Sequence, residues 1–112
     1  MKFISSVLFS LVFSSTAVAS DVHNAKIERL MVDTSHGDKV FVKIDKIPGN
    51  SPDCSSNGTW QYAFMLDTEL KKEIFVSFLL SAYMSNTSVR LTGTGECTAY
   101  PSIEALQRVE FL

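Results

Sequence analysis

The chain has 112 residues, with 10 Lys and Arg against 12 Asp and Glu and a formal net charge of −2. That length holds one modest domain with a single core. The acidic balance and the lack of a basic stripe argue against nucleic acid as a ligand.

The chain opens Met1-Lys2 and runs apolar from Phe3 to Phe13, broken by a few serines. Ala17-Val18-Ala19-Ser20 follows. A short positive start, an apolar stretch and an A-x-A site read as a secretory signal peptide over residues 1–20, with cleavage near Ala19. The apolar run is shorter than the roughly 20 residues that a span needs. The expected product is secreted or periplasmic, does not span the membrane, and forms one domain over residues 21–112. Lys2 is the one charge lost with the signal, which leaves a net charge of −3.

Two cysteines remain, Cys54 and Cys97. In an oxidising compartment an even count pairs, and two cysteines have one intramolecular pairing. A bridge closing a loop of this length contributes on the order of 3–4 kcal/mol in the chain-entropy model.

Residues 21–24 read as a loose lead. Ala25 to Val32 has β-branched and apolar residues in imperfect alternation, which predicts a strand with a bulge or strong coil. The segment Asp33-Thr34-Ser35-His36-Gly37-Asp38 reads as a turn. Lys39 to Asp45 predicts a second strand, with Val40, Val42 and Ile44 on one face and Phe41 and Lys43 on the other. Ile47 to Thr59 carries Pro48, Gly49, Pro52 and Gly58 and reads as a long loop around Cys54. Trp60 to Leu66 predicts a third strand, with Trp60, Tyr62, Phe64 and Leu66 facing the core.

Asp67 is the predicted N-cap of a helix running from about Thr68 to Met84 and ended by Ser85-Asn86-Thr87. Val89 to Thr92 starts a fourth strand that Gly93 and Gly95 bend before Cys97. Leu106 to Leu112 is the fifth. The order β-β-β-α-β-β is that of a five-stranded OB-type barrel, mainly β with one helix. A split α+β sandwich is its competitor.

The helix is apolar around most of its circumference, with Glu69, Glu73, Ser77, Ser81 and Ser85 as a narrow polar stripe. A helix that only plugs a barrel shows a wider polar face. A second contact is implied: either loops cover the helix, or residues 68–84 form a homo-oligomer interface.

Candidate chemistry is sparse. Ser35, His36 and the carboxylates of Asp33 and Asp38 lie in one turn, and adjacency in sequence does not make a triad. The other histidine, His23, sits in the N-terminal lead. Glu69 and Glu73 read as solvated helix residues, and Glu96 beside Cys97 as a surface turn acid. The chain has no H-E-x-x-H, C-x-x-C or G-x-S-x-G. No cofactor, metal site or catalytic residue is assigned. For a sugar ligand, Phe41, Tyr100 and Trp60 are the candidate platforms, although Trp60 reads as core.

The pattern Cys54, Trp60, Leu79-Leu80-x-Ala82, Val89-x-Leu91-x-Gly93-x-Gly95-x-Cys97 and Glu104 resembles a set of small exported bacterial proteins of uncharacterised function. It spans about the last two thirds of the mature chain. More distantly it resembles the B-subunits of AB-type bacterial toxins of the pertussis and subtilase cytotoxin kind. That resemblance implies an OB-fold pentamer that binds glycans, with helices lining a central pore. Those subunits commonly carry further cysteines, and no sugar-binding motif matches residue by residue, so no binding residues carry over. The expected function is an exported, non-enzymatic binding module for a glycan or a protein surface. The alternatives are a small secreted hydrolase using Glu96 or His36, and a periplasmic inhibitor or accessory protein.

Overall fold

The structure is a computed structural model and describes residues 18–35 and 37–112. The expected signal lies mostly outside the described residues, as does His36. Six strands form one sheet: β1 Asp21–Ala25, β2 Ile27–Asp33, β3 Lys39–Ile44, β4 Tyr62–Met65, β5 Val89–Gly93 and β6 Glu104–Phe111. Their order across the sheet is β1-β5-β6-β4-β3-β2. All neighbours are antiparallel except β4 and β6, which run parallel with Tyr62 opposite Glu104.

The two edges of this sheet, β1 and β2, are consecutive in the chain and separated by Lys26 alone. They are two halves of one bent strand, so the sheet curls back to the strand it began from. Counted that way, the six strands are the five of the expected barrel order. The bend has local causes. Asn24 adopts a left-handed φ of 56°, a conformation that asparagine tolerates better than most residues. Asp45 clamps the far side, its Oδ1 accepting from the Lys26 N–H at 2.9 Å and its own N–H donating to the Lys26 carbonyl at 3.1 Å. The broken alternation of residues 25–32 is thus a real bulge, marked by the register shift between Ile27 and Arg29. The lead at residues 21–24 is strand, contrary to expectation. Its pairing to β5 is long-range, and a five-residue segment with two buried apolar side chains carries little local signal.

The barrel interior is filled by Val40, Val42 and Ile44 from β3, Tyr62 and Phe64 from β4, Val89 and Leu91 from β5, and Leu79 and Ala82 from the helix. The helix opens with π-helical turns over Leu70–Phe75 and continues as α1, Val76–Ser85. The Thr68 hydroxyl, not Asp67, caps it, accepting from the Lys71 N–H at 3.2 Å. Asp67 instead pairs with Lys71 Nζ at 3.0 Å. Asn86 ends the helix in a left-handed turn, with the Thr87 N–H returning to the Ala82 carbonyl at 3.0 Å. No helix among the described residues is long and apolar enough to cross a membrane.

Cys54 and Cys97 are bridged, with their Cα atoms 6.2 Å apart. Strand β5 ends at Gly93, so Cys97 lies in the following loop and not at the strand end. The bridge therefore ties two loops together, residues 45–61 and 94–103, on the outside of the barrel.

Candidate functional site

Alternation along a strand sends successive side chains to opposite faces of the sheet. On β2 this puts Arg29, Met31 and Asp33 outside the barrel. On β3 it puts Lys39, Phe41 and Lys43 outside. The register sets Arg29 opposite Lys43, Met31 opposite Phe41, and Asp33 opposite Lys39. An apolar pair is thus flanked on both sides by charge.

The bridged loops build walls on this platform. Phe41 is buried although it faces away from the barrel interior, because Ala99, Tyr100 and Ile103 cover it. Its ring packs edge-on against Tyr100 with centroids 5.3 Å apart, and at a tilt against Trp60 at 5.8 Å. Asn57 holds the two loops in register. Its Oδ1 accepts from the N–H groups of Thr59 and Trp60, both at 2.9 Å. Its N–H donates to the Ser102 carbonyl at 3.0 Å, and its Nδ2 reaches Ser102 Oγ at 3.2 Å.

Between these walls lies a cavity of about 270 Å³ lined by Met31, Asp33, Ser35, Phe41, Asn57, Trp60, Tyr100 and Ile103. That is near the small end of ligand pockets, about 300–1,000 Å³. Asp33 Oδ1 accepts from the Ser35 N–H at 2.8 Å and from its hydroxyl at 2.5 Å, which fixes one polar wall. The Arg29 guanidinium lies 4.9 Å from the Trp60 ring centroid and Lys39 Nζ 5.7 Å from that of Tyr100. Each cation is held by the ring quadrupole.

The three candidate sugar platforms therefore converge. Trp60 is a half-buried wall of the cleft and not a core residue, which corrects the expectation for that strand. The break comes at Gln61, whose side-chain carbonyl takes the Ile44 N–H at 2.8 Å. Regular pairing starts only at Tyr62. Met31, Asp33 and Asn57 were not singled out as binding residues in the sequence. The odd-numbered alternation of β2 against Phe41 was the available signal for the first two.

The candidate acids do not assemble. Glu96 is exposed, with its N–H on Thr94 Oγ1 at 3.2 Å and its carbonyl accepting from Ala105 at 2.8 Å. Glu69 and Glu73 are exposed on the helix, and Glu69 lies 3.7 Å from Lys72. His23 is exposed and lies 3.7 Å from Asp21. Asp21 is held below the usual carboxylate range by hydrogen bonding from Arg90. Among the described residues, no group of three His, Cys, Asp or Glu is placed to hold a metal ion.

A second surface stands apart. Along the helix Leu70 is 60% exposed, Leu80 50% and Met84 75%, and Ile74, Phe78 and Tyr83 are also exposed. The bridged loops do not cover this face. Beside it, Leu30, Val32, Val40, Val76, Leu79 and Leu80 line an apolar groove of about 290 Å³. Two serines of the stripe turn back on the helix backbone, with Ser77 Oγ bonded to the Glu73 carbonyl and Ser85 Oγ to that of Ser81 at 2.7 Å.

Comparison with protein-family models and with curated proteins finds no match for this chain.

Proposed function

We propose that the chain is an exported, non-enzymatic binding module that recognises a glycan in the cleft between Phe41, Trp60 and Tyr100. The supporting observation is the convergence of these rings beside the polar wall of Asp33, Ser35 and Asn57. A sugar ring has an apolar C–H face and a rim of hydroxyls. An aromatic platform receives the first, and fixed carboxylate, hydroxyl and amide groups orient the second. The loops that form the walls are pinned by a disulfide, so less freedom is lost on binding. The disulfide also suits export to an oxidising compartment. A glycan array on the purified protein tests the reading. Binding of a glycan class that Trp60→Ala and Tyr100→Ala both abolish supports it. Binding that survives both substitutions overturns it.

The exposed helix face supports a second element, self-association through residues 70–85. The resemblance to toxin B-subunits implies a pentamer with helices lining a central pore. Size-exclusion chromatography with light scattering tests it, and a strict monomer at high concentration removes it. The hydrolase alternative draws on Glu96, which is exposed, and on His36, which lies outside the described residues.

A further inference from the structure

Ser20 is 0% exposed, yet its neighbours Ala19 and Asp21 are exposed. Every polar atom of Ser20 is engaged. Its N–H donates to Glu104 Oε2 at 3.1 Å and its hydroxyl donates to Glu104 Oε1 at 2.5 Å. The Tyr62 hydroxyl, 2.6 Å away, therefore donates to Ser20 Oγ. The Ser20 carbonyl accepts from the Gly93 N–H at 2.9 Å, which extends the β1–β5 ladder by one residue.

Glu104 is 1% exposed. Its third donor is the Gly95 N–H at 2.9 Å. The carboxylate lies against Gly93, where a Cβ would come within 2.0 Å of Oε2. The pocket is therefore shaped around this one group. Three donors solvate the buried carboxylate, and a cation beside it would neutralise its charge as well. Among the described residues, no Lys, Arg or His side chain pairs with Glu104. The nearby Asp21 carboxylate is engaged by Arg90 and Thr92. Burial pushes Tyr62 up to about 12, so its hydroxyl is neutral at ordinary pH.

We propose that the cation serving Glu104 is the protein's own α-ammonium, created at Ser20 when the chain is cleaved after Ala19. This rests on reading the segment up to Ala19 as a removable signal, and it is independent of the glycan reading. Hydrolysis of the Ala19–Ser20 amide by a signal-type peptidase adds water's hydroxyl to the Ala19 carbonyl and its proton to the Ser20 nitrogen. A second proton from solvent makes the ammonium. The nitrogen is already within hydrogen-bond reach of Glu104, so cleavage converts an amide hydrogen bond into a buried ion pair without moving the strand. Cleavage after Ala19 keeps Ser20, whereas cleavage one residue later, after Ser20, would remove it.

The test uses the full chain, exported and purified. Mass spectrometry gives the mature N-terminus, and Ser20 is expected. Any other first residue overturns the processing step. Reductive methylation of the native protein then probes the amine: exposed lysines should react and the Ser20 α-amine should not. A freely methylated α-amine overturns the pairing. Finally, a variant with one glycine inserted after Ala19 displaces the charge by one residue, and the exposure of Ala19 shows that the pocket has an outlet for the extra residue. It should lower Tm by about 5–10 °C. In a Glu104→Gln background the insertion should cost almost nothing. An insertion that is neutral in the natural sequence, or equally costly in both backgrounds, overturns the inference. If Glu104→Gln does not fold, the methylation result alone decides.

Discussion

The outer cleft and the helix face both leave apolar side chains in reach of solvent, but they are built differently. In the cleft each ring is bordered by a group of fixed direction: Trp60 by Arg29, Tyr100 by Lys39, and the apolar floor by Asp33, Ser35 and Asn57. Along the helix, Leu70, Ile74, Leu80 and Met84 are exposed, and the Ser77 and Ser85 hydroxyls are turned back on helix carbonyls. Directional polar groups select the orientation of a ligand. Apolar area without them rewards burial of any kind, at about 25 cal/mol per Å². The cleft is thus suited to a small ligand with a polar edge, and the helix to another protein surface.

The largest separation of the two should come from the disulfide. Cys54→Ala with Cys97→Ala should cost about 3–4 kcal/mol in urea unfolding. The damage should be one-sided: limited proteolysis should first cut residues 45–61, while helical ellipticity persists. Simultaneous loss of loop and helix would mean that the two regions are one cooperative unit. Next in size, Trp60→Ala should lower glycan affinity at least tenfold, about 1.4 kcal/mol, and stability by about 1–2 kcal/mol, since the ring is half-buried. Self-association should be untouched. Leu80→Lys with Met84→Lys should do the reverse, changing stability by no more than about 0.5 kcal/mol and shifting light-scattering mass toward the monomer, with glycan binding unchanged. A monomer in both proteins would leave the helix face without its assigned role.

The smallest effect concerns pH. Asp67 is exposed, and hydrogen bonding from Lys71 holds its carboxyl below the ordinary aspartate value. A depressed carboxyl contributes stability that is present above its unfolded pKa and lost as pH falls through the folded one. Helical ellipticity should therefore be flat from neutrality down to the ordinary aspartate range and soften only below it. Asp67→Asn should remove that acid limb and leave cleft binding as it was.

What the sequence disclosed follows the range of the interactions involved. Strand β3 was legible because Val40, Val42 and Ile44 alternate within six residues, and the helix because its apolar run and its Asn86 stop are local. The excess apolar surface of the helix was legible too, and the loops do not hide it. The bridge followed from a count of two. Strand β1 was not legible, because Asp21 to Ala25 is a strand only through β5, about 70 residues away. Trp60 was misplaced for a related reason: its period with Tyr62 and Phe64 is regular in sequence, and only the Gln61 side chain, capturing the Ile44 N–H, shows where that period breaks. Glu104 entered only as one position of the resemblance pattern. Its burial depends on Gly93 and Ser20, which come from opposite ends of the domain.

The bend at Lys26 has a consequence for assembly. One residue joins the strand that pairs with β3 to the strand that pairs with β5, so the barrel closes like a clasp whose tongue is β1. Until that tongue docks, β5 is an open edge with unpaired N–H and C=O groups, a template for any free strand. A second copy's tongue is the best-matched one available. Refolding at high protein concentration should therefore yield exchanged dimers, which dilution before refolding suppresses.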